Sequence, residues 1–336
     1  MRPTYETRPT IHTVARAAGV SISSVSRALN GQTSNSEMVE RVKAVALTLG
    51  YAPNALAQSF KHQHLDQIAF AVEDIGNPAY LAMVRAIEPV LQQAGIRLLL
   101  HSTGASVHAE IELLRSLSRR YVDGLILSPI RVTDELVHEL ASASTPVVVV
   151  GTIPGESPVD NVRVDSKAGA ALAVHHLAAQ GCRRIGFLNG PVDTTPGNSR
   201  LAGYQAGLEE AGLVFDQSLL ETSASFHFDE GLIAAKSLLD HQKVDGILGA
   251  NDALAVSAIH QLGTRGLTAG RDVRVVGMDD GELASISLPR LTSVNLGAAQ
   301  RGTIAAQLLL DRLRGEAGPP RLREVVPFLT VRESSQ

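Results

Sequence analysis

Residues 10–31 read TIHTVARAAGVSISSVSRALNG, and residues 36–60 read SEMVERVKAVALTLGYAPNALAQSF. In the first stretch Ile11, Val14, Ala15 and Ala18 recur at helical spacing behind Thr10, a residue type that caps helix N-termini, and Gly19 stops the run. Val20 is an apolar plug, after which Ser21 caps a second helix with Val25 and Leu29 on its inner face, ending at Asn30 and Gly31. Two short helices joined by a tight Ala-Gly-Val turn make a helix-turn-helix. A third helix is expected from Ser36 as cap, with Glu37 in the first turn and Val39, Val42, Ala46 and Leu49 as the stripe before Gly50. The three stripes can close one small all-α core over residues 1–52. A three-helix fragment with no nucleic-acid role would show the same periodicity; the outer face of the second helix separates the two readings. Ile22, Ser23, Ser26 and Arg27 point outward there, short at the start and guanidinium-bearing one turn later, which suits a major groove.

The rest of the chain is too long for this module alone, since 336 residues suggest about two domains beside it. With 44% hydrophobic and 19% charged residues, the composition is that of a packed globular protein. No apolar run approaches the 18 or so residues of a membrane helix, and MRPTYETRPT has no signal-peptide core, so a cytoplasmic location with no membrane partner is expected. One cysteine, Cys182, excludes an internal disulfide and a thiolate metal cluster. Aromatics at 4% with no Trp argue against a stacking platform for single strands. The net charge of -4 hides an asymmetry: residues 1–64 hold seven Lys and Arg against three acids, a formal +4, which leaves -8 on the remainder. A basic head on an acidic body fits a head that approaches phosphates and a body that stays off them.

Pro53 and Asn54 signal the start of a helix of about two turns, Ala55 to Lys61, within a hinge and linker at 53–64. Alone it is marginal in water, and Leu56 and Phe60, four residues apart on one face, are what a groove or a partner helix could hold; a linker whose Phe docks on the body is the other reading. From residue 65 to 336 the pattern changes. IAFAV, IRLLL, GLILS and VVVVG read as buried parallel strands, with helices such as Pro78 to Ala94 and Ala109 to Leu117 between them: a doubly wound α/β body. VDGLIL at Val122 recurs as VDGILG at Val244, and IAFAV at Ile68 is echoed by IGFLN at Ile185, offsets of 122 and 117. Two Rossmann-like lobes follow, at about 66–160 and 164–290, with a crossover segment at 291–336. A cleft between such lobes, lined by loops at the C-terminal ends of strands, is a natural small-molecule site.

The two opening stretches, together with IGNPAY, GCRRIGFLNG, RLAGY, ANDALA and VVGMDD, resemble the lactose/galactose repressor (LacI/GalR) family of bacterial transcription regulators along the whole chain. The resemblance implies that Ile22, Ser23 and Arg27 read base edges and that Thr10, Ser21, Ser26 and Asn30 hold phosphates. It implies that the hinge, through Leu56, Ala57 and Phe60, pairs across a homodimer and wedges into the minor groove of operator DNA; Phe60 stands where the family usually has Leu. The body then resembles the bilobed, periplasmic-binding-protein-like fold that closes on an effector. Carried onto this chain, Asp74, Tyr80, Thr194, Asn198, Arg200, Phe226, Asn251 and Asp279 line that site, with Arg200 and Asp279 foremost. Ala79 and Ala105 are small where many members carry larger groups, which speaks against a purine-sized stack and toward a sugar effector.

The function expected is a repressor that binds double-stranded operator DNA as a homodimer under control of a small molecule, with no cofactor, metal or catalytic residue. Helical segments around Leu81 to Leu91 and Asp252 to Leu262 are candidates for the dimer surface, and no heptad run follows Val331. A purine-type co-repressor and a solute-binding protein without DNA function are the alternatives; the basic head weighs against the second. An enzyme lacks support, since GxGxxG after a strand, GxxxxGK[ST], GxSxG and HExxH are all missing. His175 and His176 face different directions on one helix and make no zinc pair. Asp252, Asp279 and Asp280 could each serve as ordinary capping or turn residues at strand ends.

Overall fold

A computed structural model describes residues 9–29, 32–51, 65–119 and 121–336. It divides into two compact units, Met1–Leu65 and Asp66–Gln336. The hinge residues Leu56, Ala57 and Phe60, and also Asn30, lie outside the described residues.

In the first unit three helices, α1 (Ile11–Ala18), α2 (Ile22–Leu29) and α3 (Ser36–Thr48), bury Val14, Ala15, Ala18, Val25, Ala28, Val42 and Ala46 in one core. Thr10 and Thr13 cap α1 reciprocally, side chain to backbone in both directions. Gly19 closes the helix at φ +67, a left-handed conformation that glycine adopts at no steric cost. Ser21 Oγ accepts the Ser24 amide at 3.1 Å and so caps α2. For α3 the expectation is off by one residue. Asn35, not Ser36, is the cap, its Oδ1 accepting the Met38 amide at 3.0 Å, and Ser36 is the first helical residue.

The second unit holds two six-stranded sheets. Strands β1 (Gln67–Val72), β2 (Arg97–Ser102), β3 (Gly124–Ser128), β4 (Val147–Val150) and β5 (Asp160–Val164) belong to the first; β6 (Ile185–Asn189), β7 (Leu220–Thr222), β8 (Gly246–Gly249), β9 (Arg274–Asp279) and β10 (Thr292–Asn295) to the second. The last two strands, β11 (Leu322–Val325) and β12 (Phe328–Thr330), add one edge to each, giving the orders β11-β5-β4-β3-β1-β2 and β12-β10-β9-β8-β6-β7. Every pairing is parallel except β10 with β12. The internal echoes of the sequence fall on matching strands: VDGLIL and VDGILG give β3 and β8, IAFAV and IGFLN give β1 and β6.

Helices α4 (Pro78–Gln93), α5 (Val107–Ser116) and α6 (Asp134–Ala141) cover the first sheet; α7 (Ser166–Ala179), α8 (Thr195–Glu210), α9 (Phe228–His241), α10 (Asp252–Thr264) and the short α11 (Glu282–Ile286) belong to the second lobe. Helix α12 (Ala298–Leu313) returns to the first lobe, where Ala305, Ala306 and Leu309 join the core of Phe70, Ile87 and Val148. Three expectations shift. IRLLL forms a parallel strand, but β2 is an edge with Leu99 and Leu100 exposed, because only one neighbour pairs with it. The helix expected from Ala109 begins at Val107 behind a Ser106 cap. The break expected between 160 and 164 falls inside β5, and β10 stays with the second lobe rather than the crossover. Helix α10, a candidate for the dimer surface, is largely inside its own lobe's core, with Leu254, Ala255, Ala258 and Leu262 buried. Among the described residues no helix is long and apolar enough to cross a membrane, and no group of three or more His, Cys, Asp or Glu is placed to hold a metal ion.

Candidate functional site

In the helical unit, packing Val25 and Ala28 inward turns the opposite side of α2 to solvent. Ile22 is 42% exposed, Ser23 and Arg27 are exposed, and Ser26 is half-buried. Arg27 Nε donates to the Ser23 carbonyl at 3.4 Å, which lays the guanidinium along the outer face. Ser23 Oγ lies 2.8 Å from Ser21 Oγ, so its hydroxyl is shared with the cap. Thr10 and Ser21 sit at the N-termini of α1 and α2, where amide dipoles favour an anion such as a phosphate.

In the α/β unit the strands of both sheets end at one cleft. Helix N-termini crowd its walls, because in doubly wound sheets each strand runs through a tight turn into a helix at this end. An inner cavity of about 100 Å³ is lined by Tyr80, Arg200, Phe226, Asn251 and Asp279 of the expected set. Arg200 is held from three directions: Nη1 donates to the Ala250 carbonyl at 2.7 Å, Nη2 is 3.7 Å from Asp279 Oδ1, and the guanidinium carbon lies 5.6 Å from the Phe226 ring centre. Asn251 spends both ends of its amide, donating to the Phe226 carbonyl at 2.9 Å and accepting the Leu254 amide at 2.9 Å. It therefore positions Phe226 and starts α10.

Asp279 ends β9 at φ +107, followed by Asp280 at φ +53. A non-glycine residue at +107 is strained, and in this conformation Asp279 lines the inner cavity. Burial pushes the Asp279 carboxyl up, against the pull of Arg200 and Arg301. The neighbouring aspartates take the ordinary roles foreseen for them. Asp280 accepts from Asn295 at 3.0 Å and Thr330 at 2.8 Å, tying β9 to β10 and β12. Asp252 accepts from Gly281 at 2.7 Å and Ser293 at 2.5 Å, and burial with Asp279 nearby raises its carboxyl well above the usual range.

The remaining expected residues fall elsewhere. Asp74 lines a second, outer cavity of about 480 Å³ at the cleft mouth, 3.7 Å from His227 of the other lobe. The two cavities share Glu73, Ile130 and Phe226. Thr194 lies outside both linings: its hydroxyl donates to the Pro191 carbonyl at 2.5 Å and accepts the Gly197 amide at 3.1 Å, a cap for α8. Asn198 is exposed and also outside, because α8 turns Thr195, Ser199 and Arg200 toward the cleft and Asn198 away. Ala79 lines the inner cavity and Ala105 the outer.

Several lining residues went unread in the sequence: Glu73, Ser128, Thr195, Ser199 and Arg301. Thr195 and Ser199 carry a signal in retrospect, two hydroxyls one helical turn apart beside Arg200. So does Arg301, a charge on the apolar stripe of α12. Across the cleft Arg131 meets Asp193 at 2.8 Å, and the Thr195 amide donates to the Ile130 carbonyl at 2.7 Å, so the lobes touch directly at its rim.

Residues 10–54 match the model of the bacterial regulatory proteins of the lacI family, and residues 174–335 match a periplasmic binding protein-like domain. The chain is 34% identical over 336 residues to the HTH-type transcriptional regulator CelR of Thermobifida fusca, covering 97% of this chain and 98% of that protein. Among solved structures it resembles a complex of the transcriptional regulator CelR with cellobiose, at 32% identity and a TM-score of 0.73 over 97% of this chain and all 100% of that one. It also resembles the lac repressor dimer bound to operator and the anti-inducer ONPF, at 25% identity and a TM-score of 0.84, covering 98% and 99% of the two chains.

Proposed function

The chain belongs to the lacI family of bacterial regulatory proteins, and on that premise we propose that it represses transcription from a near-palindromic operator as a homodimer and is controlled by a sugar in the cleft between its lobes. The observation that carries this reading is the pairing of Arg200 and Asp279 on one wall of the inner cavity, with the Phe226 ring beneath the guanidinium. A guanidinium offers directed donors and a carboxylate directed acceptors, which together match vicinal hydroxyls on a polar ring; the aromatic face suits its C–H side. The cellobiose complex of the relative supports the same class of ligand.

Operator DNA is held by one helical head per half-site, with Ile22, Ser23 and Arg27 toward base edges and Thr10, Ser21 and Ser26 toward phosphates. Ile22 favours an apolar contact such as a thymine methyl. Effector and operator are coupled: a sugar that stabilises one placement of the lobes shifts operator affinity, and operator shifts sugar affinity by the same factor, about 1–3 kcal/mol. The test is selection of bound genomic fragments by the purified protein, followed by titration of the winning duplex with and without sugars. Expected is a preference of at least about a thousandfold over scrambled duplex, altered by one sugar. Equal affinity for selected and scrambled DNA at every ligand condition sinks the proposal.

A further inference from the structure

The inner cavity contains more positive charge than a neutral ring calls for. Arg301 projects from the first turn of α12, on the first lobe, toward Arg200 and Asp279 on the second. Both arginines are more than nine-tenths buried, Arg200 at 8% and Arg301 at 9% exposure, and the Nε of each has no hydrogen-bond partner among the described residues. Arg200 has the Ala250 carbonyl and, at 3.7 Å, Asp279; among the described residues the Arg301 Nε has no partner and its guanidinium feels Asp279 only through charge. Two guanidiniums thus face one nearby carboxylate.

The other acids do not restore the balance. Asp252 is engaged by Gly281 and Ser293 and is pushed toward its neutral form by burial. Glu73, which lines the same cavity, is raised by burial and by Asp74, against the pull of His227, Arg131 and Arg200, so its negative charge is weakened and shared with the outer cavity. Burial pulls the Arg301 guanidinium down to about 10, against the attraction of Asp279, so it stays charged at neutral pH.

Its place in the helix points the same way. Cations are favoured at a helix C-terminus and disfavoured in the opening turn, and α12 has no side-chain cap at its N-terminus to offset the amide dipoles. A buried cation with no fixed partner is costly for the fold and is retained where something else supplies the counter-charge. The inner cavity, flanked by both guanidiniums, is where that charge can enter.

We propose that the effector is an anionic sugar, whose carboxylate or phosphate group sits between Arg301 and Arg200 while its ring hydroxyls meet Asp279. This rests on the sugar-effector reading above and narrows it. Both anion types share the planar or tripodal oxygen array that guanidiniums recognise.

The experiment is isothermal titration of the full chain with three panels: neutral sugars (glucose, galactose, ribose, cellobiose), sugar acids (glucuronate, galacturonate, gluconate) and sugar phosphates (glucose 6-phosphate, ribose 5-phosphate), with acetate and inorganic phosphate as controls. Expected is one acid or phosphate that binds at least tenfold tighter than its neutral parent, weakens as NaCl is raised, and outranks the bare anion. The acid and phosphate panels tell the two sources apart. In Arg301→Met the preference over the neutral parent disappears, and in Arg301→Lys part of it returns; operator binding by both variants checks that they fold. A neutral sugar that binds as tightly as every charged one, or an unchanged preference in Arg301→Met, overturns the anionic effector and leaves the sugar reading standing. Silence from all three panels in a protein that still selects an operator overturns both.

Discussion

Arg27 and Glu110 show how differently single side chains can be placed by the same rules. Arg27 is exposed on α2, one turn beyond Ile22 and Ser23. Its guanidinium can take a guanine by two parallel hydrogen bonds, so Arg27→Ala should relax base preference at one operator position by about 1–3 kcal/mol and leave the salt dependence nearly unchanged. Fluorescence anisotropy on single-base operator variants reads this, and a uniform loss across them counts against it. Glu110, in contrast, is buried in the first lobe with one oxygen accepting from Thr103 at 3.3 Å and the other without a partner among the described residues. Burial pushes its carboxyl up from 4.5 to about 7, the Thr103 hydroxyl opposing and Glu73 reinforcing. The folded chain therefore holds this proton where the unfolded chain releases it, and stability should fall as pH rises from 4.5 to about 7, then level off. Glu110→Gln should remove that slope and gain about 1–3 kcal/mol at pH 8, by urea denaturation at several pH values. Arg200 and Asp279 were legible as a pair because their chemistry suits a polar ring. Thr194 and Asn198 lie outside both linings for different reasons: the Thr194 hydroxyl is spent on capping α8, and Asn198 sits about 100° around that helix from Ser199 and about 200° from Arg200.

At the scale of elements, spacing was a good guide to where helices and strands run and a poor one to their surroundings. IRLLL, apart from Arg97, is as apolar as IAFAV, yet β2 is an exposed edge and β1 a buried interior strand, since strand order depends on crossovers that no local pattern encodes. The hydrophobic stripes of α1 to α3 were sufficient for the small core because those helices are adjacent in sequence and have few ways to pack. Close helix contacts were not foreseeable in the same manner. Gly203 in α8 sits so near α7 that a Cβ there would lie 2.1 Å from the Lys167 carbonyl oxygen, a backbone atom that cannot swing aside. Gly203→Ala should separate the two helices and cost about 1–3 kcal/mol, seen as a lower thermal midpoint with helical content retained. A midpoint equal to that of the parent would mean that α7 and α8 slide freely.

The molecule as a whole is organised by how often its chain changes lobes: after β5, after β10 and again between β11 and β12. The repeat of about 120 residues revealed two lobes, but it could not reveal the crossings, because β5 and β10 occupy equivalent positions and read alike. One cluster fastens the returning segment. Asp160, on β5, is 2.8 Å from Arg312 at the end of α12 and 2.8 Å from Arg321 just before β11. Burial alone would raise its carboxyl, but the two guanidiniums and the Arg321 amide outweigh that and hold it at about 2, below its usual 3.8. The stability it contributes is complete above about pH 4 and lost as pH falls through about 2. Asp160→Asn takes the shared buried carboxylate from both guanidiniums, leaving Arg312 with backbone carbonyls and Arg321 with the more exposed Asp311 and Glu316, and should cost on the order of 3 kcal/mol at pH 7, with a smaller difference from the parent at pH 2.5; a constant difference across that range would contradict the account. The late position of β11 and β12 has a consequence for biosynthesis. When a ribosome has translated as far as residue 320, each sheet still lacks its outermost strand, and the nascent polypeptide shows two unpaired β edges at once. A chain stopped there would present not one sound lobe and one ragged one but two templates for aggregation, so the covering of both edges waits on the short stretch that carries β11 and β12.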